Sequence, residues 1–137
     1  ALVCADLPTC QGQWLPAVDF VDGFDLSHKI GPNYEGGVLD LAARTAIHLS
    51  HRIGAVVVTV LALVLAWRLA TSGFKPLAGI LLPMLILQLS LGLSNIWFAL
   101  PLFVAVFHNV GGALLLLVLV KINYDLYKNN QLSRYTA

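Results

Sequence analysis

The chain has 137 residues, 58% of them hydrophobic and only 11% charged, with a formal net charge of +1. A soluble domain normally carries about twice that charged fraction, so the composition places the chain in a bilayer. No basic run or stripe is present to grip phosphates, which argues against nucleic acid as a partner.

The charges are segregated along the chain. Asp6, Asp19, Asp22, Asp25, Glu35 and Asp40 precede the first long apolar run, and Asp125 is the one acid after it. The sequence begins at Ala1 without a basic segment leading into an apolar one. No signal peptide is read there, and the chain is expected to be a piece of a longer protein. Residues 1–40 form a polar, irregular loop punctuated by Pro8, Gly12, Pro16, Gly23, Gly31-Pro32-Asn33 and Gly36-Gly37. Trp14, Phe20, Phe24 and Tyr34 make it aromatic for a linker, as expected of a segment lying over a membrane surface. Cys4 and Cys10 are the two cysteines. A zinc site needs about four ligands, and no others stand at a suitable spacing. A disulfide is favoured over two free thiols and would put the loop in an oxidising compartment. His28, in the same loop, is read as solvated.

Asp40 is placed to cap a first helix over residues 41–71, stopped by Ser72-Gly73. Its uncharged part, 53–67, falls short of the roughly 20 residues a span needs. The histidine-bearing turns before it must therefore complete the span. Residues 76–120 carry no formal charge and accommodate two more helices, at 76–98 and 101–124. The turn between them runs from Ser94-Asn95 to Leu100-Pro101, with Trp97 as an interfacial anchor and Pro101 at a helix start. Pro83 is expected to kink the second helix. Residues 125–137 form a polar tail. Arg68, Lys75, Lys121, Lys128 and Arg134 fall on one side of this three-span arrangement, which the positive-inside rule makes cytoplasmic. The cysteine loop then faces outward, in agreement with the disulfide. Lys29 is on the opposite side, in a long loop where the rule is weak.

Two stretches carry ionisable groups into apolar helices, where they are rare and usually serve a site. They are Ile47-His48-Leu49-Ser50-His51-Arg52-Ile53-Gly54-Ala55 and Phe107-His108-Asn109-Val110-Gly111-Gly112. In each, a histidine is followed three and four positions later by very small residues on the same helix face. Each helix thus offers a nitrogen ligand beside a bare patch of backbone where a flat ligand fits. At 1.5 Å per residue, His51 and His108 lie roughly 10–12 Å below their helix starts. Two imidazoles at matched depth are what a six-coordinate heme iron requires. The bland alternative is that each histidine only hydrogen-bonds a neighbouring helix. His48, on nearly the same face as His51, is either an alternative ligand or a contact to a propionate or substrate edge. Arg52 is open to two readings, a propionate partner or a snorkelling arginine near the helix end. Gln88, Ser90, Ser94 and Asn95 either line a polar pocket or bond between helices. Asn109 is open in the same way. No nucleophile–base pair, phosphate loop or carboxylate pair stands in the apolar segments.

The run Cys4-Ala5-Asp6-Leu7-Pro8-Thr9-Cys10-Gln11-Gly12, then His51-Arg52, Gln88, Leu91-Gly92, Leu100-Pro101 and His108, resembles the heme A synthase family. The resemblance covers nearly the whole chain. It implies an all-α integral membrane protein of two similar four-helix halves, oxidising a ring methyl of heme O to the formyl of heme A for cytochrome oxidase assembly. Three transmembrane helices of one half, with a long extracytoplasmic loop at the N-terminus, match this chain. The ligand role then maps onto His51 and His108, and the loop disulfide onto Cys4 and Cys10. The N-terminal half of the family has a glutamate three residues before its first histidine, where this chain has His48, and a loop tryptophan where this chain has Leu7. Both departures favour the C-terminal half. Its heme is expected to be a bound heme b rather than the substrate, with catalysis in the missing half. The resemblance also implies the cell inner membrane as location. The lipid bilayer, the other half of the same chain, heme O synthase and an electron donor are the implied partners. The rival readings are a bis-histidine cytochrome b that only transfers electrons, and a cofactor-free assembly module.

Overall fold

The computed structural model describes residues 3–25, 27 and 39–135. His28, Lys29 and Tyr34 lie outside the described residues. The elements are α1 (Phe20–Gly23), α2 (Leu41–Thr71), α3 (Lys75–Trp97) and α4 (Leu102–Tyr135). Among the described residues there is no strand, only the isolated pairing of Cys10 with Gln13. The protein is all-helical. Three segments, Leu41–Thr71, Lys75–Trp97 and Leu102–Leu132, are long and apolar enough to cross a membrane. Only 17%, 22% and 11% of their most apolar windows is buried within the chain. So much bare apolar surface suits lipid or further helices, not water.

The chain divides into two compact units, residues 1–57 and 58–137. In the first, the N-terminal loop is laid on the opening turns of α2. Asp40 caps that helix, accepting from the Ala43 N–H at 2.7 Å. Ala43 and Ala46 are fully buried, and their small side chains let the loop backbone approach. The Asp19 N–H donates to the Ala42 carbonyl at 3.1 Å. Gly23 passes so near that an added Cβ would lie 2.8 Å from the Ala43 carbonyl oxygen. A side chain there would push α1 off the helix.

In the second unit, Ala62, Ala66 and Leu69 of α2 pack with Leu77, Ala78, Leu81 and Leu85 of α3 and Leu115 and Ile122 of α4. The turn between α2 and α3 follows the sequence signals. Gly73 takes φ +88, and the Phe74 N–H reaches back to the Leu69 carbonyl at 2.8 Å, the six-to-one bond of a Schellman ending. Pro76 follows in the first turn of α3. α3 ends in the same way with a less suitable residue. Ala99 sits at φ +55 and Leu100 at φ +63, while the Leu100 N–H bonds the Asn95 carbonyl at 2.8 Å. Pro83 lies inside α3 and withholds the N–H that the Gly79 carbonyl would otherwise accept.

α4 runs well past the boundary at 124 read from the sequence. The apolar stretch ends near Lys121, but nothing there breaks a helix. Lys121 and Asp125 form an i,i+4 ion pair at 2.7 Å, and the residues assigned to a tail continue the helix to Tyr135.

Candidate functional site

The first cluster is built on the N-terminal loop. Cys4 and Cys10 are joined in a disulfide and are 0% and 2% exposed. The next two residues, Gln11 and Gly12, both have positive φ, +56 and +72. They close a tight hairpin in which Cys10 and Gln13 exchange backbone hydrogen bonds at 3.0 and 3.1 Å. A non-glycine residue resists that conformation, and the Asp6 carboxylate compensates. It accepts the N–H groups of Gln11 at 2.8 Å and Gly12 at 2.9 Å, together with the Thr9 hydroxyl. Bonding from Thr9 first, and from these backbone N–H groups, holds the Asp6 pKa down at about 2, from 3.8.

Turned around the disulfide, the loop points its carbonyls at α2, and Arg52 collects them. Nη1 donates to the Thr9 carbonyl at 2.8 Å. Nη2 donates to those of Cys4 at 2.9 Å and Asp6 at 2.8 Å. The guanidinium thus answers three backbone acceptors with its fixed fork, while its Nε is buried without a hydrogen-bond partner. The sequence leaves this side chain open between a propionate partner and a snorkelling arginine; in the structure its Nη1 and Nη2 donate to the loop carbonyls. One turn earlier, the Cys4 N–H donates to His48 Nδ1 at 3.2 Å. A backbone N–H can only donate, so Nδ1 is the bare nitrogen and the neutral ring carries its proton on Nε2. That tautomer makes His48 a donor at Nε2. The loop is also tied at Thr45, whose buried hydroxyl accepts from Gln11 Nε2 at 3.0 Å and donates to the Leu41 carbonyl at 2.7 Å.

His51 projects from the same helix and is exposed. Gly54, one turn further on, faces open space: an added Cβ would meet nothing within 4 Å. The bare patch read beside His51 is present.

His108 lies in the other unit, half-buried between α3 and α4. Its ring rests on Gly92, where a Cβ would come 3.2 Å from Cε1 and 3.6 Å from Nδ1. The bare patch read beside it is filled, because the Gln88 side chain reaches across from α3. A Cβ on Gly111 would fall 2.5 Å from Gln88 Oε1, and one on Gly112 3.4 Å from Nε2. The two glycines are therefore a seat for Gln88. The Gln88 amide nitrogen is 3.3 Å from His108 Nδ1 and 3.5 Å from Nε2. An atom so nearly equidistant from both ring nitrogens cannot lie along the in-plane direction of either. The amide leans on the face of the ring. Ser90 and Ser94 bond the Ile86 and Ser90 carbonyls of their own helix, at 2.8 Å each, rather than line a pocket. Asn95 is 7% exposed, with its Oδ1 lacking a partner.

The donors fit iron that is already chelated by a macrocycle. Among the described residues no group of three or more His, Cys, Asp or Glu stands together to hold a bare ion. Single imidazoles in apolar helices are the ligand type that a heme takes.

Residues 1–120 match the family model COX15-CtaA, cytochrome oxidase assembly protein. The chain belongs to that family. It is 48% identical over 136 residues to the heme A synthase of Shewanella oneidensis, an alignment covering 98% of this chain and 41% of that protein. The chain thus spans well under half the length of the curated relative it matches. No solved structure matches it. The alignment with this relative reaches across the loop, the histidine-bearing helices and the turn at Pro101. Three features of the site were not anticipated from the sequence: the carbonyl clamp of Arg52, the Asp6 turn and the seat of Gln88. A pointer existed for the last, since Gly111-Gly112 faces Gln88-Leu91-Gly92 in a helix pair.

Proposed function

We propose that this chain is the heme-binding part of a heme A synthase, with His51 and His108 as axial ligands of a b-type heme. What carries the reading is the 48% identity to a heme A synthase along nearly the whole chain, with those two histidines standing in its apolar helices. On this reading the full-length protein is an oxidoreductase acting on a CH group. A ring methyl of heme O becomes the formyl of heme A, gaining its oxygen from water and releasing four electrons and four protons. A heme bound by this chain supplies one-electron transfer, toward a membrane electron carrier as final acceptor.

The chain's own residues hold the arrangement. His51 and His108 present imidazole nitrogens, Arg52 fixes the disulfide loop above the ligand-bearing turn, and His48 offers an Nε2–H to an anionic or carbonyl edge. With the loop on the oxidising side and Arg68, Lys75, Lys121, Lys128 and Arg134 on the other, the protein sits in the cell inner membrane with residues 1–40 extracytoplasmic. Heme O synthase is the natural supplier of the substrate.

The test is to express the full-length protein in cells that make heme O but no heme A. Heme A should accumulate with the wild type and fall sharply with His51→Ala or His108→Ala. A wild type that binds heme yet forms no heme A would overturn the enzymatic reading and leave an electron-transfer cytochrome.

A further inference from the structure

Between α2 and α4 of the second unit lies an open groove of about 190 Å³, lined by Val58, Leu61, Ala62, Leu65 and Leu119. Its floor is the small side chain of Ala62, 5% exposed, and its rim is set by Val58 and Leu61, 46% and 63% exposed. The α2 residues recur at spacings of three and four, so they form one stripe along the helix. From Val58 to Leu65 that stripe runs for roughly 10 Å. Arg68 is its next position, where the apolar run ends. The Arg68 guanidinium lies 5.5 Å from the centre of the Trp67 ring, and both side chains are exposed. A tryptophan at such a boundary belongs at the headgroup level of a bilayer. An apolar trough in a membrane-spanning helix suits a hydrocarbon chain, and its charged end suits a headgroup.

Charge decides which headgroup. Residues 58–137 carry Arg68, Lys75, Lys121, Lys128 and Arg134 against one acidic side chain, Asp125. That carboxylate is taken by Lys121 at 2.7 Å. Arg68 and Lys75 flank a single tight turn, in which the Ser72 N–H bonds the Arg68 carbonyl at 2.9 Å. Their positive field is therefore concentrated beside the end of the groove. We propose that the groove and Arg68 bind an anionic phospholipid. One acyl chain lies along α2 from Val58 to Leu65, and the phosphate meets the forked donors of Arg68. Lys75 adds to the attraction from across the turn. A zwitterionic headgroup brings a cation of its own into that field and binds less well.

The test counts lipids retained by the detergent-purified full-length protein, using native mass spectrometry. The probes are phosphatidylglycerol and phosphatidylcholine with the same acyl chains, each added over a range of concentrations. Arg68→Gln and Val58→Trp alter exposed positions outside the packed core, so both variants should fold. The wild type should prefer phosphatidylglycerol, and in Arg68→Gln that preference should fall about fivefold, the effect of one cation near a membrane surface. Val58→Trp fills the trough and should weaken both lipids alike while the preference stays. An equal preference in wild type and Arg68→Gln would overturn the headgroup assignment. Unchanged retention of both lipids in Val58→Trp would overturn the chain assignment, as when another helix of the full-length protein covers the groove. Displacement of phosphatidylglycerol by inorganic phosphate alone would reduce the site to a surface anion site and overturn the lipid.

Discussion

Replacing Arg52 by methionine keeps the apolar stem and deletes the fork that gathers the carbonyls of Cys4, Asp6 and Thr9. A hydrogen bond to a charged donor contributes about 1.5–3 kcal/mol. The three share one guanidinium and do not add in full, and water can reach the freed carbonyls of a loop outside the apolar spans. About 3 kcal/mol is therefore the expected loss in the loop's resistance to opening, which is roughly a hundredfold in the opening equilibrium. Because Cys4 and Cys10 are 0% and 2% exposed, a reductant meets their disulfide through the opened loop. The rate of reduction by dithiothreitol then reads the opening population. It should rise by about two orders of magnitude in Arg52→Met, and by less in Arg52→Lys, whose compact ammonium reaches fewer of the three acceptors. Equal reduction rates in wild type and Arg52→Met would refute the clamp.

Other expectations follow from the same contacts. Since the Asp6 pKa is lowered to about 2 from 3.8, its contribution is fully present above about 3.8 and lost as pH falls through about 2. The ratio of wild-type to Asp6→Asn disulfide reduction by a phosphine should therefore climb toward one over that interval; a flat ratio would exclude the carboxylate as the holder of the turn. Gly111→Ala places a Cβ 2.5 Å from Gln88 Oε1 and should destabilise by about 1–3 kcal/mol. Adding Gln88→Ala should relieve that overpacking, which thermal unfolding in detergent of the single and double variants would report. Ala99→Gly, at φ +55, should stabilise the end of α3 by about 1 kcal/mol, measured as a rise in the same unfolding temperature.

What the sequence announced was carried by local signals. Asp40 before an apolar run, Gly73 after one, and Pro101 ahead of another each act through their own backbone, so the bounds of α2, the turn into α3 and the start of α4 were legible. The end of α4 was misjudged because apolarity was taken to mark the helix. Lys121 and Asp125 end the apolar stretch while supporting the helix as an i,i+4 pair, and no glycine or proline follows Gly112. The role of Arg52 had no sequence signal at all, because its partners are backbone carbonyls that become convergent only once the disulfide and the Asp6 turn have folded the loop. Gly111 and Gly112 were read as an open patch for a flat ligand, but Gln88 covers them. What covers them depends on the register of α3 against α4, and that register places Gln88 there. By contrast, the patch at Gly54 is open, as the spacing of His51 and Gly54 on one helix face implied.

The central claim is that His51 and His108 both bind a heme iron. Its most direct test is a reduced-minus-oxidised absorption spectrum of the detergent-solubilised full-length protein, with His51→Ala and His108→Ala measured beside it. Paired ligation predicts a low-spin heme signal in the wild type that is weakened in both variants. An undiminished signal in both would place the heme on other residues and leave these helices as a scaffold.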